Sequence, residues 1–412
     1  MFAVSLGLMA VLPTLPLYIE ERFDIHDPAE VRWWAGAIFG AGPLAAALIG
    51  PLWGALGDRH GRRRMVVRSV VAIGVAMALM PLASSPLQML LLRTLQGLFA
   101  GYVAPAMALV SAETPADRQG RTIAGLQVAL ASGLLFGPAL GAEIAAWFGR
   151  AAVFTVTAGL CFAAAIPVAL FTYEDRAKLQ RRGDGERRGS LLREMFQPLQ
   201  HRPFAILLLL ILVSRLGLNM LEPFLALFVR ELGALPWIAS GARDAEHAID
   251  RTTAVAFTIL AVAQFVFTPL WGRAADRFGP LRCLAVLALS LSGIYFATAH
   301  VETTEGYLAL RLAAAAFMSG SMTLAYAAAV RRVPPQQRSV AFSLTQSCIQ
   351  FGLAVGPTFG GAVASGASVR DLFPVAAALL FVAGVGMVIL RVVTERPRNE
   401  PTPPADEGIV GS

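Results

Sequence analysis

Charge is scarce in this chain. Asp, Glu, Lys and Arg make up 15% of its 412 residues, whereas typical soluble domains carry about 25%. Lysine occurs once, at Lys178. A soluble fold of this length would need far more charge on its surface, so that class is excluded. Cysteine is scarce too. Cys161, Cys283 and Cys348 fall in apolar runs without metal-site spacing, and they leave the redox compartment open. The five histidines, His26, His60, His201, His247 and His300, sit at loops or helix ends. There is no catalytic constellation, so no enzyme and no cofactor is expected. There is no phosphate-binding loop either, which argues against ATP drive.

What the chain has is apolar length. Hydrophobic residues make up 56% and the mean hydropathy is +0.62. Apolar segments run over about 1–19, 33–56, 65–84, 87–112, 122–147, 151–172, 203–229, 252–271, 281–299, 307–330, 340–364 and 372–393. Each is near or above the roughly 20 residues that cross a bilayer as a helix, and lipid offers no partner to open backbone groups. The spacing predicts an all-α membrane protein of twelve transmembrane helices in two six-helix bundles. The expected division is 1–172, a cytoplasmic linker at 173–202, a second bundle at 203–393 and a disordered tail at 394–412. The first segment has no basic leader or cleavage motif, so it reads as a retained helix.

The formal net charge of +7 invites nucleic acid as a partner, but its placement points to membrane topology. With residue 1 on the cytoplasmic side, inner loops and tail hold 24 of the 34 Lys+Arg. Outer loops hold 7: Arg22, Arg32, Arg150, Arg230, Arg243, Arg251 and Arg370. Three lie inside spans away from their cytoplasmic ends: Arg93, Arg215 and Arg311. That asymmetry predicts two cytoplasmic termini in an inner (plasma) membrane. The outer loop 231–251 is long and mixed in charge and says little by itself.

The two halves repeat each other. Pro51-Leu52-Trp53-Gly54, Asp58-Arg59, Gly61 and Arg64 recur as Pro269-Leu270-Trp271-Gly272, Asp276-Arg277, Gly279 and Arg282, displaced by 218 residues (269 − 51). Arg93 and Arg311 are also 218 apart (311 − 93). Gly133, Gly137-Pro138 and Gly141 match Gly352, Gly356-Pro357 and Gly360 at 219 (356 − 137). Matched order at near-constant offset marks a duplication, and duplicated halves are an established transporter plan with a midplane site between them.

Four motifs stand in order in the first half: Leu6-Gly7 with Pro13-Thr14-Leu15-Pro16, the 54–64 turn, Arg93-Thr94-Leu95-Gln96-Gly97, and Gly133 to Gly141. In these it resembles the major facilitator superfamily, more closely the twelve-helix drug–proton antiporters and their multidrug and tetracycline exporter relatives. Ala142 stands where their helix-5 motif ends in glycine. The resemblance implies a cavity lined by helices 1, 4, 7 and 10, and a coupling role for Arg93. It implies that Gly54, Asp58, Arg59, Gly61 and Arg62, with the repeated Asp276-Arg277, latch the inner gate; Arg63 and Arg64 read as lipid anchors. It also implies a mobile seam between the halves at Gly137, Pro138, Gly141, Gly356 and Pro357, with a plain small-residue packing face as the other reading.

Intramembrane polar residues carry the functional weight, because a charge there costs at least about 2.5–3.5 kcal/mol on insertion scales. Arg215, Asn219 and Glu222 stand at i, i+4 and i+7 and so share one face of the seventh helix. Glu222 is the candidate proton carrier, with Arg93 and Arg215 tuning it; a structural Arg–Glu pair is the alternative. Arg93 and Arg311 lie near the outer ends of their spans, within snorkelling reach. Arg311, Asn219, Gln127, Gln346 and Gln350 are candidate cavity residues, the glutamines alternatively pairing helices. Glu143, near an outer end, reads as wet. The expected function is proton-driven export of small molecules by a monomer among lipids, with anionic, zwitterionic or neutral cargo favoured. Proton symport of a metabolite and a non-transporting sensor or scaffold are the other readings.

Overall fold

The computed structural model describes residues 1–60, 62–103, 106, 109–110, 119–172, 197–334 and 337–394; the side chains of 50–60, 62, 119–121, 123, 124, 127, 131, 134 and 339 are left aside. The described residues form helices and connecting turns, with no strand among them. In the first half these are α1 (Phe2–Phe23), α2 (Pro28–His60), α3 (Arg62–Leu79), α4 (Pro86–Phe99), α5 (Gln119–Phe148) and α6 (Arg150–Phe171). The second half holds α7 (Arg202–Asn219), α8 (Leu225–Leu232), α9 (Pro236–Ala239), α10 (Ala245–Phe278) and α11 (Pro280–Thr298). It continues with α12 (Thr304–Met318), α13 (Ser321–Val330), α14 (Arg338–Ser365) and α15 (Leu372–Thr394).

Ten helical stretches are long and apolar enough to cross a bilayer. Two more helices stand where the second and fourth spans are expected: α2, with 33 residues, and α4, whose described part has 14. Large apolar side chains face outward, among them Leu82, Phe171 and Val393. Water would penalise that surface, whereas hydrocarbon tails accept it.

The glycine motifs are resolved into contacts, and they correct one expectation. Gly133, Gly137 and Gly141 of α5 do not meet the other half. A methyl group on them would overlap Ser5, Met9 and Ala10 of α1, in the same bundle. Gly352, Gly356 and Gly360 of α14 face Arg215, Asn219 and Met220 of the seventh span in the same way. The i, i+4, i+8 spacing fixed a small-residue face but not the helix that covers it. The packing is duplicated residue for residue, because each second-half partner follows its first-half counterpart by 210 positions (215 − 5, 219 − 9, 220 − 10). The seam between the halves uses another face of α14, where Gly361 and the Pro357 carbonyl lie against Gly36 of α2. There the missing side chains let two backbones approach, as small residues do in membranes.

Candidate functional site

The seventh span is not one helix. α7 stops at Asn219, and a 3-10 turn takes Glu222–Phe224 before α8 resumes. Pro223 has no N–H to offer the Asn219 carbonyl, so one rung of the hydrogen-bond ladder is missing there. At this break Glu222 leaves the stripe expected for it with Arg215 and Asn219. Its carboxylate oxygens accept from Arg311 Nη2 of α12 at 3.2 and 3.4 Å. Arg311 is buried, its side chain 4% exposed, and Glu222 is largely covered at 15%. Arg311 thus turns inward, where snorkelling toward the surface had been open to it. The cation beside Glu222 is this one, rather than Arg93 or Arg215.

Around the pair the walls are aromatic. Tyr307, one turn before Arg311 on α12, is fully buried, and its ring packs edge-on against Phe228 at 5.2 Å. Its hydroxyl has no hydrogen-bond partner among the described residues. Sequence reasoning missed this residue. The signal was available in Tyr307 and Arg311 at i and i+4, on one helical face.

Arg215 is 9% exposed and donates through Nη2 to Ser321 Oγ at 3.1 Å. Asn219 is tied down locally, its Nδ2 donating to the Arg215 carbonyl at 2.8 Å. Arg93 donates through Nη1 to Gln96 Oε1 at 2.7 Å, and its stem crosses Gly42 of α2. No carboxylate lies within 4.0 Å of either arginine among the described residues. Gln346 accepts from the Tyr326 hydroxyl, and Tyr326 stacks on Phe342 with centroids 4.3 Å apart. Gln350 is half-buried on α14. Gln127 lies outside the described side chains.

The two halves are clamped at the end that carries the 24–27 and 233–244 connections. Gly149, with φ 82°, makes a one-residue turn between α5 and α6 and sets Arg150 at the start of α6. The Asp244 side chain caps α10 by accepting from the His247 amide at 2.8 Å. That starts α10 early, so its polar first turns carry Glu246, His247, Asp250 and Arg251. Arg150 then reaches Glu246, Asp250 and its own half's Glu21. Arg251 pairs with Glu143, and Arg230 with Glu20 at 2.7 Å. Arg32 Nε donates to the Ala364 carbonyl at 2.6 Å. The Arg243 guanidinium lies over the Trp147 ring at 5.2 Å. A cavity of about 430 Å³ remains among Glu20, Glu21, Arg150, Arg230, Glu246 and Asp250. Five of the seven outer-loop arginines thus link one half to the other. Glu143, expected to be merely wet, is a partner in that clamp.

At the opposite end lie the residues expected as the inner latch. Asp276 and Arg277 are exposed at the end of α10, with Arg277 resting on the Phe278 ring at 5.3 Å. Gly54, Asp58, Arg59, Gly61 and Arg62 lie outside the described side chains. Arg63, expected as an anchor, donates to the Ala169 carbonyl of α6. The described arrangement is closed at the expected outer end.

The Major Facilitator Superfamily matches this sequence over residues 1–243 and 207–411. The chain is 30% identical over 389 residues to the multidrug resistance protein MdtG of Yersinia enterocolitica, covering 92% of this chain and 88% of that protein. It is 26% identical over 371 residues to a multi-drug resistance efflux pump PmrA homolog of Lactococcus lactis subsp. lactis, covering 90% and 87%. Among solved structures, the nucleoside transporter NupG matches with a TM-score of 0.76 at 14% identity, over 94% of this chain and 96% of that one. At that identity the likeness is one of fold.

Proposed function

This chain belongs to the major facilitator superfamily of membrane transporters, and we propose that it is a proton-coupled exporter of small molecules working by alternating access. It sits in the inner (plasma) membrane with both termini cytoplasmic, a reading supported by the skew of its basic loops. The relatives named as multidrug resistance proteins support export of toxic compounds.

One observation carries the coupling step: the buried Glu222–Arg311 pair at the break in the seventh span. A carboxylate inside a span is costly unless it is paired or functional, which makes Glu222 the proton-carrier candidate. With the outer clamp shut, Arg311 is paired with Glu222. When the outer end opens, a proton neutralises Glu222 and frees Arg311. Return of the proton to the cytoplasm restores the pair. One charge moving down 100 mV supplies about 2.3 kcal/mol, to which a pH gradient adds. Asp58-Arg59 and Asp276-Arg277 act as the inner latch in the alternate state. Gly361 against Gly36 forms the seam on which the halves rock.

The test is transport in proteoliposomes under an imposed pH gradient. Counter-movement of cargo is expected for the native chain and is lost in Glu222→Gln. Co-movement would establish symport instead, and coupling that survives Glu222→Gln would remove Glu222 as the carrier.

A further inference from the structure

We propose that Arg215 is the docking point for an anionic group on the cargo, a carboxylate or a phosphoryl oxygen carried by a planar apolar body. The proposal rests on the transporter reading and adds the class of molecule carried. It starts from an imbalance of charge. Of Arg93, Arg215 and Arg311, only Arg311 has a carboxylate partner among the described residues, Glu222. Arg215 is left with a single neutral acceptor, Ser321 Oγ. That hydroxyl spends its own proton on the Met318 carbonyl at 2.6 Å. A guanidinium has five donors, and no other protein acceptor meets them among the described residues. Those remaining nitrogens are not among the sealed, unpaired atoms of the interior.

The guanidinium is held in place before any ligand arrives. Gly352 of α14 leaves room for the Arg215 stem, where any side chain would overlap its Cβ. The scaffold itself does not require this charge. The duplicated position in α1, 210 residues earlier, is Ser5, packed on Gly133 as Arg215 is on Gly352. The same helix pair therefore forms with a small hydroxyl in place of an arginine.

The neighbours of Arg215 complete the description. Tyr326 and Cys348 lie within its electrostatic reach. Tyr326 and Phe342 stack with an interplanar angle of 19° and offer a flat apolar wall. The Tyr326 hydroxyl donates to Gln346 Oε1, which leaves the Gln346 amide nitrogen as a further donor. On α14 the face that meets α2 near Thr358 and Gly361 continues into Ser347, which is exposed. Donors outnumber acceptors around a buried cation, which selects a negative group; charge-assisted bonds of this kind are roughly twice as strong as neutral ones.

A matched series tests the idea: 2-naphthoate, 2-naphthamide and 2-naphthylmethylammonium, titrated against the full chain in detergent by ligand fluorescence. Naphthoate is expected to bind at least about tenfold more tightly than the amide, and the ammonium more weakly than both. In Arg215→Gln the naphthoate affinity falls to that of the amide, while Arg215→Lys keeps part of the preference. Equal binding of naphthoate and naphthamide to the native chain would overturn the proposal, and so would absence of binding by all three. That comparison needs no variant, so it stands even where Arg215→Gln does not fold. Because no gradient is present, it reads the anion site independently of export. A retained naphthoate preference with no pH-driven transport would count against the exporter reading alone.

Discussion

The Glu222 carboxylate lies 3.2 Å from Arg311 Nη2 and joins the break in the seventh span to the outer part of the tenth. The two residues are 89 apart in sequence, and neither has another ionic partner among the described residues. Such a pair is better evidence of a switch than of stability, because desolvation offsets most of its attraction.

Removing one partner should therefore cost more than removing both. We expect Arg311→Gln to destabilise the protein by about 3–5 kcal/mol, since it leaves a buried carboxylate alone. Glu222→Gln with Arg311→Gln should recover most of that loss. Thermal unfolding in one detergent, run on both single variants and the double, measures the coupling. Additive losses would mean that the pair is not coupled in the protein.

Arg150 should be the keystone of the outer clamp. It is 11% exposed and bonds to carboxylates on both halves, with Asp250 only 5% exposed. Hydrogen bonds between charged groups contribute about 1.5–3 kcal/mol each. Arg150→Gln should therefore move the equilibrium toward the outward-open state by roughly tenfold or more, by the usual conversion of 1.4 kcal/mol per decade. Spin labels at His26 and Ala239, exposed residues on opposite halves of the outer end, report this as a longer distance. An unchanged distance distribution would mean that the clamp is incidental to the closed state.

The architecture was legible in the residues because it depends on local properties. Apolar length gave the helices, and the 218- and 219-residue offsets gave the two halves. What stayed hidden depends on partners far along the chain. Arg150 and Arg251 looked like exceptions to the basic-residue topology rule, and their carboxylates, Asp250 and Glu143, stand 100 and 108 residues away. The Glu222 stripe failed for a similar reason. Helical periodicity assumes a helix, and the partner that draws Glu222 out of it, Arg311, stands 89 residues away. Glycine spacing announced close packing without saying which helix would fill each face.

The glycine face of α14 gives a graded test. Gly352→Ala would drive a methyl into the Arg215 stem, and Gly360→Ala into the Met220 carbonyl. Overpacking of that kind costs about 1–3 kcal/mol. Gly159 on α6 faces open space, so Gly159→Ala should stabilise by about 0.5–1 kcal/mol through helix propensity. Thermal unfolding of the three variants should separate in that order. Equal effects would show that α7 and α14 have slack at their contact.

The break in the seventh span can be traced to its cause by using the duplicated half as a control. Pro13 stands 210 residues before Pro223 (223 − 13), yet α1 runs unbroken from Phe2 to Phe23 through it. A proline is thus compatible with a continuous helix at this position of the scaffold. The residue before it differs: Leu12 in α1, Glu222 in the seventh span. Leucine has no reason to leave the helix surface, whereas the Glu222 carboxylate is drawn to Arg311. We therefore expect Glu222→Leu to let α7 run on into α8 with Pro223 still in place. Pro223→Ala should keep the 3-10 turn, because the ion pair still holds it. Amide hydrogen exchange at Phe224 and Leu225 distinguishes the two, with protection rising in Glu222→Leu and little changed in Pro223→Ala. The opposite pattern would assign the break to the proline and leave Glu222 as its passenger.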